Sequence, residues 1–326
     1  MADRDPELQT GEHDLAARFR HDVLAGLAQH RKAIPARWFY DRRGSELFEV
    51  ITALPEYYPT RTEIGILEGC LGDVAERVGQ GRVVVEPGAG SVTKTPLLLD
   101  AVTPSVYVPV DISGDFLRES SAGLQRRLPA LPVLPVEADF THPFALSAET
   151  GGAPRLGFFP GSTIGNMEPA PATDLLRSLR HALGEDAMLL IGIDLIKDRQ
   201  RLLAAYDDAQ GVTAAFNRNL AARINRELEG TIPLDALAHR AVWNEQRARI
   251  EMHLEATRPI SFEVCGQSFA MHQGETIHTE NSHKYSQASA NLLLLAGGWE
   301  PLAHYRDDEA LFMVVLARAI LPEMTA

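Results

Sequence analysis

The chain is 326 residues long, 45% apolar and 23% charged, with 31 basic residues against 44 acidic ones and a formal net charge of −13. That length suits one large or two medium domains, and the charge disfavours nucleic acid and anionic membrane as partners, with no Lys/Arg run as an exception. Cys70 and Cys265 have no zinc-ligand spacing, so two buried reduced thiols are expected.

In chain order, residues 1–12 are polar and acidic, unlike a signal peptide, and are expected to be flexible. No apolar stretch reaches the about 20 residues of a membrane span, so a cytoplasmic protein is expected. From His13 to His30, Leu15, Phe19, Val23, Leu24 and Leu27 form a helical stripe. The aromatic-dense segment Ile34–Asp41 follows, then Ser45–Ile51 and the turn-rich Leu54-Pro55-Glu56-Tyr57-Tyr58-Pro59-Thr60. Two prolines hold that tyrosine pair; core packing accounts for one ring, and the other is expected to face a cleft.

Five β/α units come next, with helices at 63–79, 93–101, 114–128 and 171–183 and strands at 82–86, 106–111, 133–136, 155–160 and 187–194. Such alternation argues for a parallel, doubly wound sheet. Residues 197–284 change character, with helices at 199–209 and 212–228 and then the alternating stretches Arg249–Leu254 and Ile260–Val264, as in antiparallel strands. A helix over 285–296 and two final strands, one at 310–319, are expected to close the sheet with an antiparallel edge. The expected layout is therefore discontinuous: residues 62–196 and 285–326 form one domain, and residues 13–61 and 197–284 form the other.

The β-branched run Val83-Val84-Val85-Glu86 breaks into Pro87-Gly88-Ala89-Gly90-Ser91 and then helical sequence, the arrangement by which an open α/β sheet meets a nucleotide. The loop lacks the third glycine of the dinucleotide fingerprint and the Gly-Lys-Ser/Thr of a phosphate loop. Glu86 beside it repels phosphates and suits a ligand with an amine and a sulfonium, such as S-adenosylmethionine. Asp111, 23 residues beyond Gly88 at the end of the second strand, suits the two ribose hydroxyls. Asp139-Phe140 after the third strand suits an adenine amino group and ring. Each acid taken singly is equally well read as a helix cap or solvated turn.

Several longer blocks are more specific. Trp38-Phe39-Tyr40-Asp41, Leu54 to Glu63, Gly161-Ser162-Thr163-Ile164-Gly165-Asn166, Tyr206-Asp207-Asp208-Ala209, Gly211 to Asn219 and Asn225-Arg226-Glu227-Leu228 together resemble the L-histidine Nα-methyltransferases of ergothioneine biosynthesis. The resemblance runs from about residue 15 to 320. It implies a class I methyltransferase fold, a Rossmann-like α/β core with a second α+β substrate-binding domain. The implied reaction is trimethylation of the histidine α-amino group to hercynine, the first step of that pathway, with S-adenosylmethionine as methyl donor. It also implies cofactor contacts from Gly88, Lys94, Asp111, Asp139 and Phe140. Histidine contacts are implied for Tyr57, Asn166, Tyr206, Glu280, Asn281 and Ser282. Tyr40 is placed beside the reacting amine, which makes Tyr40 and Asn166 the expected catalytic pair. A monomer acting on free histidine, without a metal, is expected.

The chemistry of the residues agrees with these roles. Methyl transfer requires a neutral amine held on the methyl–sulfur axis away from water, and no strong base. The Asn166 amide and the Tyr206 hydroxyl suit the amino-acid carboxylate. Glu280 and Ser282 have the i, i+2 spacing that aims both to one side of an extended segment, and a carboxylate beside a hydroxyl suits an imidazole. An unpaired buried carboxylate costs roughly 1–3 kcal/mol, so Glu280 selects against apolar aromatic amino acids. Asn281 stands where the family often has an apolar residue, which leaves room for an added polar contact. Met252 is read equally well as packing near the imidazole or as ordinary core. The rings of Tyr40, Tyr57 and Phe48 suit an increasingly methylated ammonium. His278 and His283 lie five apart without a carboxylate at fixed spacing, so no metal site is expected. The alternatives are a methyltransferase for another amino acid, such as tryptophan, or a non-catalytic cofactor-binding homologue.

Overall fold

The computed structural model describes residues 6–89, 94–142 and 144–321, and the side chains of residues 6–14 and 115 are not described. Contacts divide the chain into two compact units: Met1–Ile51, Leu202–Asn244 and Ile250–Asn281 in the first; Thr52–Arg201, Glu245–Arg249 and Ser282–Ala326 in the second.

The second unit is built on a seven-stranded sheet. Its strands are β1 (Val83–Pro87), β2 (Val106–Asp111), β3 (Val136–Glu137), β4 (Arg155–Phe159), β5 (Met188–Asp194), β11 (Trp299–Arg306) and β12 (Phe312–Ala319), in the order β11-β12-β5-β4-β1-β2-β3. The pairings from β3 through β5 are parallel, whereas β12 runs antiparallel to β5 and β11 antiparallel to β12. The class I α/β core with its antiparallel edge is therefore present. Every residue of β1, β2 and β5 is buried, which explains their unbroken apolar runs.

Helices α3 (Tyr58–Val78), α4 (Thr95–Val102) and α5 (Gly114–Arg127) contribute Leu67, Val74, Leu98 and Leu124 to the core on one side of this sheet. Helices α6 (Pro169–Leu183) and α9 (Gln287–Ala296) place Leu176, Leu179 and Leu294 on the other. The first of these helices starts earlier than its apolar pattern suggests. Pro59 sits in its first turn, where the missing N–H costs nothing, so Tyr58-Pro59-Thr60 is helical rather than turn.

The first unit contains α1 (Pro6–Leu27), α2 (Arg42–Thr52), most of α7 (Arg199–Tyr206) and α8 (Val212–Glu227). Helix α1 thus already covers residues 6–12, and residues 1–5 of the segment expected to be flexible lie outside the described residues. A three-stranded sheet has the order β10-β7-β6, from β6 (Leu237–Asn244), β7 (Arg249–Ala256) and β10 (Thr276–His283). A separate hairpin pairs β8 (Ile260–Val264) with β9 (Gln267–Met271). Its two-residue turn, Cys265-Gly266, has φ +49° and +74°, so Cys265 is a half-buried turn residue rather than a core thiol. Cys70 is buried, and burial together with Asp73 pushes its thiol up to about 11.

Asn217 on α8 joins all three strands of the larger sheet. Fully buried, it donates to His239 Nδ1 at 2.9 Å and to the His253 carbonyl at 3.0 Å, and accepts from Thr279 Oγ1 at 2.8 Å. Three of its four hydrogen-bonding positions are thereby used.

Candidate functional site

The expected cofactor residues gather at the carboxyl ends of β1, β2 and β3. Gly88 follows β1 with φ +74°, and its N–H is given to the Val110 carbonyl at 2.7 Å. A Cβ there would stand 3.4 Å from the Phe140 ring. That spacing is ordinary contact, so it is the left-handed backbone that calls for glycine here. Gly90, Ser91 and Thr93 of the loop lie outside the described residues. Asp111 ends β2, paired with Glu137 of β3, and accepts the Ser113 N–H at 2.8 Å. Burial raises its pKa against those backbone hydrogen bonds. A buried carboxylate of this kind is satisfied by neutral donors, and a ribose diol provides two.

Asp139 is more committed to its own loop. One oxygen accepts from the Thr141 N–H (3.0 Å) and hydroxyl (2.5 Å), and the other lies 3.1 Å from His142 Nδ1. Phe140 packs edge-on against Phe159 at 5.8 Å.

Lys94, just before α4, donates to Glu63 Oε2 at 2.5 Å. Glu63 is 1% exposed and also accepts the Gly161 N–H at 2.9 Å, so one carboxylate joins α3, the approach to α4 and the turn after β4. Beneath this, Glu86 accepts from Thr95 Oγ1 at 2.8 Å and from the Tyr107 hydroxyl at 2.7 Å. The acid read as attracting a sulfonium therefore ties the start of α4 to the sheet.

Burial pushes Glu86 up to about 7, against the pull of Tyr107 and Thr95. The unfolded chain releases this proton near the ordinary value of 4.5, so between there and about 7 the native state holds the extra proton. Stability contributed at this residue accordingly falls as pH rises through that window, by up to about 1.4 kcal/mol per pH unit, and the penalty is complete above it. Glu86→Gln is expected to gain on the wild type from about pH 5 to about pH 7 in denaturant melts and to level off above that, by this linkage. A constant difference across that range would contradict the assignment.

Asn166 closes a short 3-10 turn, Thr163–Asn166, after β4. Ser162 opens the turn at φ +57°, and its hydroxyl accepts the Asp194 N–H of β5 at 2.9 Å. Asp194 is a hub that the sequence reading missed. It is 1% exposed and accepts from the Tyr58 hydroxyl at 2.8 Å, from Lys197, and from Lys284 at 2.6 Å. Lys284 in turn donates to Ser282 Oγ at 2.7 Å. Burial pushes Asp194 up, but the two ammonium groups more than offset it and hold the carboxyl below its usual range. Burial lowers Lys197 to about 8 despite Asp194. Tyr57, Asn166 and Ser282 are thus each connected to this cluster through the chain or a hydrogen bond. Tyr58 is the core member of the tyrosine pair, although Tyr57 is itself only 9% exposed.

In the first unit, Tyr40 follows the 3-10 turn Ala36–Phe39, with its ring 5.7 Å from Phe48 and 5.8 Å from Phe216. Phe216 is a neighbour that sequence reasoning did not single out for this cluster. Tyr206 ends α7, and its carbonyl is 2.8 Å from His239 Nε2. Glu280 and Asn281 lie on β10; the Glu280 carbonyl is 2.9 Å from His278 Nε2, and Asn281 Oδ1 is buried without a hydrogen-bond partner. Met252 is 2% exposed, and its carbonyl accepts from Thr279 Oγ1 at 3.0 Å, consistent with a core role. His283 lies in the second unit, 3.4 Å from Arg249, and is not grouped with His278.

Comparison with known proteins shows the family. A model of the histidine-specific, S-adenosylmethionine-dependent methyltransferases matches residues 19–319. The histidine N-alpha-methyltransferase of Mycolicibacterium smegmatis is 39% identical over 308 residues, 93% of this chain and 95% of that protein. The protein of the same name from Mycobacterium tuberculosis is 39% identical over 304 residues, covering 91% and 94%. Ergothioneine biosynthesis protein 1 of Neurospora crassa is 26% identical over 312 residues, which are 90% of this chain and 35% of that longer protein.

Proposed function

The chain belongs to the histidine-specific, S-adenosylmethionine-dependent methyltransferases, and we propose that it methylates the α-amino nitrogen of free L-histidine three times to give hercynine. The match over residues 19–319 carries this reading, and the 39% identity to two histidine N-alpha-methyltransferases supports the choice of nitrogen. Entry into ergothioneine biosynthesis follows from that product. The reading includes a cytoplasmic monomer with no nucleic-acid or membrane partner; the charge of −13 disfavours anionic partners, and among the described residues no helix is long and apolar enough to cross a membrane. The two domains of the sequence reading, residues 62–196 with 285–326 and residues 13–61 with 197–284, are assigned to cofactor and histidine respectively.

The bound donor supplies a methyl group already activated by its sulfonium. Asp111 would hold its ribose, Phe140 and Asp139 its adenine, and Gly88 and Lys94 its methionine end. The chain's remaining task is to present a neutral amine. Asn166 and Tyr206 hold the histidine carboxylate, Tyr57 and Tyr40 border the amine, and Glu280, Asn281 and Ser282 take the imidazole. Before each transfer the ammonium nitrogen sheds one proton to water; the neutral amine then forms its nitrogen–carbon bond as the carbon–sulfur bond breaks, and the third transfer leaves a trimethylammonium with no proton to lose. A trimethylammonium accepts no hydrogen bond but rests on aromatic faces.

Mass spectrometry that resolves mono-, di- and trimethylhistidine is the test. Trimethylhistidine is expected as the end product, and Tyr40→Phe and Tyr57→Phe are expected to accumulate the earlier products. Methylation of tryptophan but not histidine in a screen of free amino acids would overturn the reading.

A further inference from the structure

Glu251, His253 and His278 meet on the three-stranded sheet of the first unit, and methyl transfer uses none of them. Glu251 and His253 are two apart on β7, so they share a face, and His278 lies on the neighbouring strand β10. The two imidazoles stack with centroids 4.8 Å apart and an interplanar angle of 23°. One ligating atom from each of the three side chains lies within 4.8 Å of the others. Glu251 Oε2 stands 3.4 Å from His253 Nε2. Two donors each about 2.0–2.1 Å from a tetrahedral ion are separated by about that distance.

Glu251 and His278, though not His253, carry the outer hydrogen bonds of a built site. Asn244 Nδ2 donates to Glu251 Oε1 at 2.9 Å, which aims Oε2 at the imidazoles. A proton on His278 Nε2 is given to the Glu280 carbonyl at 2.9 Å, which puts that ring's lone pair on Nδ1. Metal-binding imidazoles and carboxylates characteristically carry such outer bonds. The backbone of His278 is fixed as well, with its N–H on the Lys32 carbonyl at 2.8 Å and its carbonyl on the Ile34 N–H at 2.9 Å. His253 Nδ1 is buried without a hydrogen-bond partner, so that ring's polar contact is the one toward Glu251.

We propose that Glu251, His253 and His278 bind one divalent transition-metal ion, zinc by the nature of the donors, with water completing the shell. Two imidazoles and one carboxylate suit Zn²⁺ and related ions and disfavour Mg²⁺ and Ca²⁺, which require oxygen ligands. The ion would clamp β7 to β10 two residues from Glu280.

The test uses the full chain purified without a histidine tag and freed of metal by chelation. Calorimetry with Zn²⁺ and visible absorption with Co²⁺ are each expected to give one ion per chain. His253→Gln and His278→Gln are expected to weaken binding more than about 100-fold, and Asn244→Ala by about 10- to 100-fold through loss of the outer hydrogen bond. Circular dichroism establishes that each variant is folded. Should a histidine variant not fold, Glu251→Gln decides, with an expected loss of the Co²⁺ spectrum. Absence of binding, or unchanged affinity in the folded variants, overturns the site.

Discussion

Glu280→Ala is expected to lower kcat/KM for histidine by about 100-fold, since a hydrogen bond to a charged partner contributes about 1.5–3 kcal/mol. The affinity for S-adenosylmethionine should stay within about threefold, because this carboxylate is assigned to the imidazole alone. Glu280 is half-buried on β10, so its charge is only partly screened by solvent. By this assignment an imidazole N–H offers it a hydrogen bond that the ring of phenylalanine cannot. The same substitution therefore narrows the preference for histidine over phenylalanine, because it removes the penalty as well as the attraction. Glu280→Gln keeps an acceptor and should lose only about tenfold, closer to a neutral hydrogen bond. Steady-state kinetics with both amino acids, and calorimetry with the cofactor, check the pattern. An equal fall in cofactor affinity would assign Glu280 to folding rather than recognition.

Asp194→Ala is expected to destabilise the protein by about 3–5 kcal/mol, because it removes the carboxylate that two buried ammonium groups contact. Lys197 and Lys284 have side chains 6% and 0% exposed, and Asp194 is the carboxylate that both contact. At about 2–4 °C per kcal/mol, the melting temperature should fall by roughly 10 °C. Asp194→Asn keeps an acceptor for Tyr58 and should lie between the two. The contribution has a definite pH sign. The folded carboxyl titrates below its ordinary value of 3.8, so the stabilisation is present above that value and disappears as pH falls through the native pKa. The gap between wild type and Asp194→Ala should accordingly close in acid. Denaturant melts at neutral and acid pH measure it, and a gap that stayed constant would remove the electrostatic explanation.

The two cases differ in how far the amino-acid sequence reveals them. Glu280 and Ser282 are two apart, so their shared direction follows from strand geometry alone, as does the alternation from Val83 to Asp194. Asp194 was legible as a strand end, but its partner Tyr58 is 136 residues away, and no periodicity links them. The hairpin strand β9 was missed because its turn, Cys265-Gly266, lacks the Asn or Asp that ordinarily marks such a bend. Phe216 was hidden for a related reason: an aromatic on a helical stripe reads as core until the fold places it beside Tyr40. Glu86 shows the opposite error. Its position beside the glycine loop suggested ligand contact, and only the tertiary structure shows Thr95 and Tyr107 taking up its carboxylate.

Glu63 and Gly192 form an epistatic pair. A Cβ on Gly192 would lie 2.0 Å from Glu63 Oε1, and Glu63 is not free to swing aside because Lys94 and the Gly161 N–H hold its other oxygen. Any mutational route that adds a side chain at position 192 therefore passes through a shorter residue at position 63. That first step removes the acceptor of Lys94 and the Gly161 N–H, so each single change is expected to cost stability. A library that varies 63, 94 and 192 together is therefore expected to yield combinations that one randomising either position alone does not.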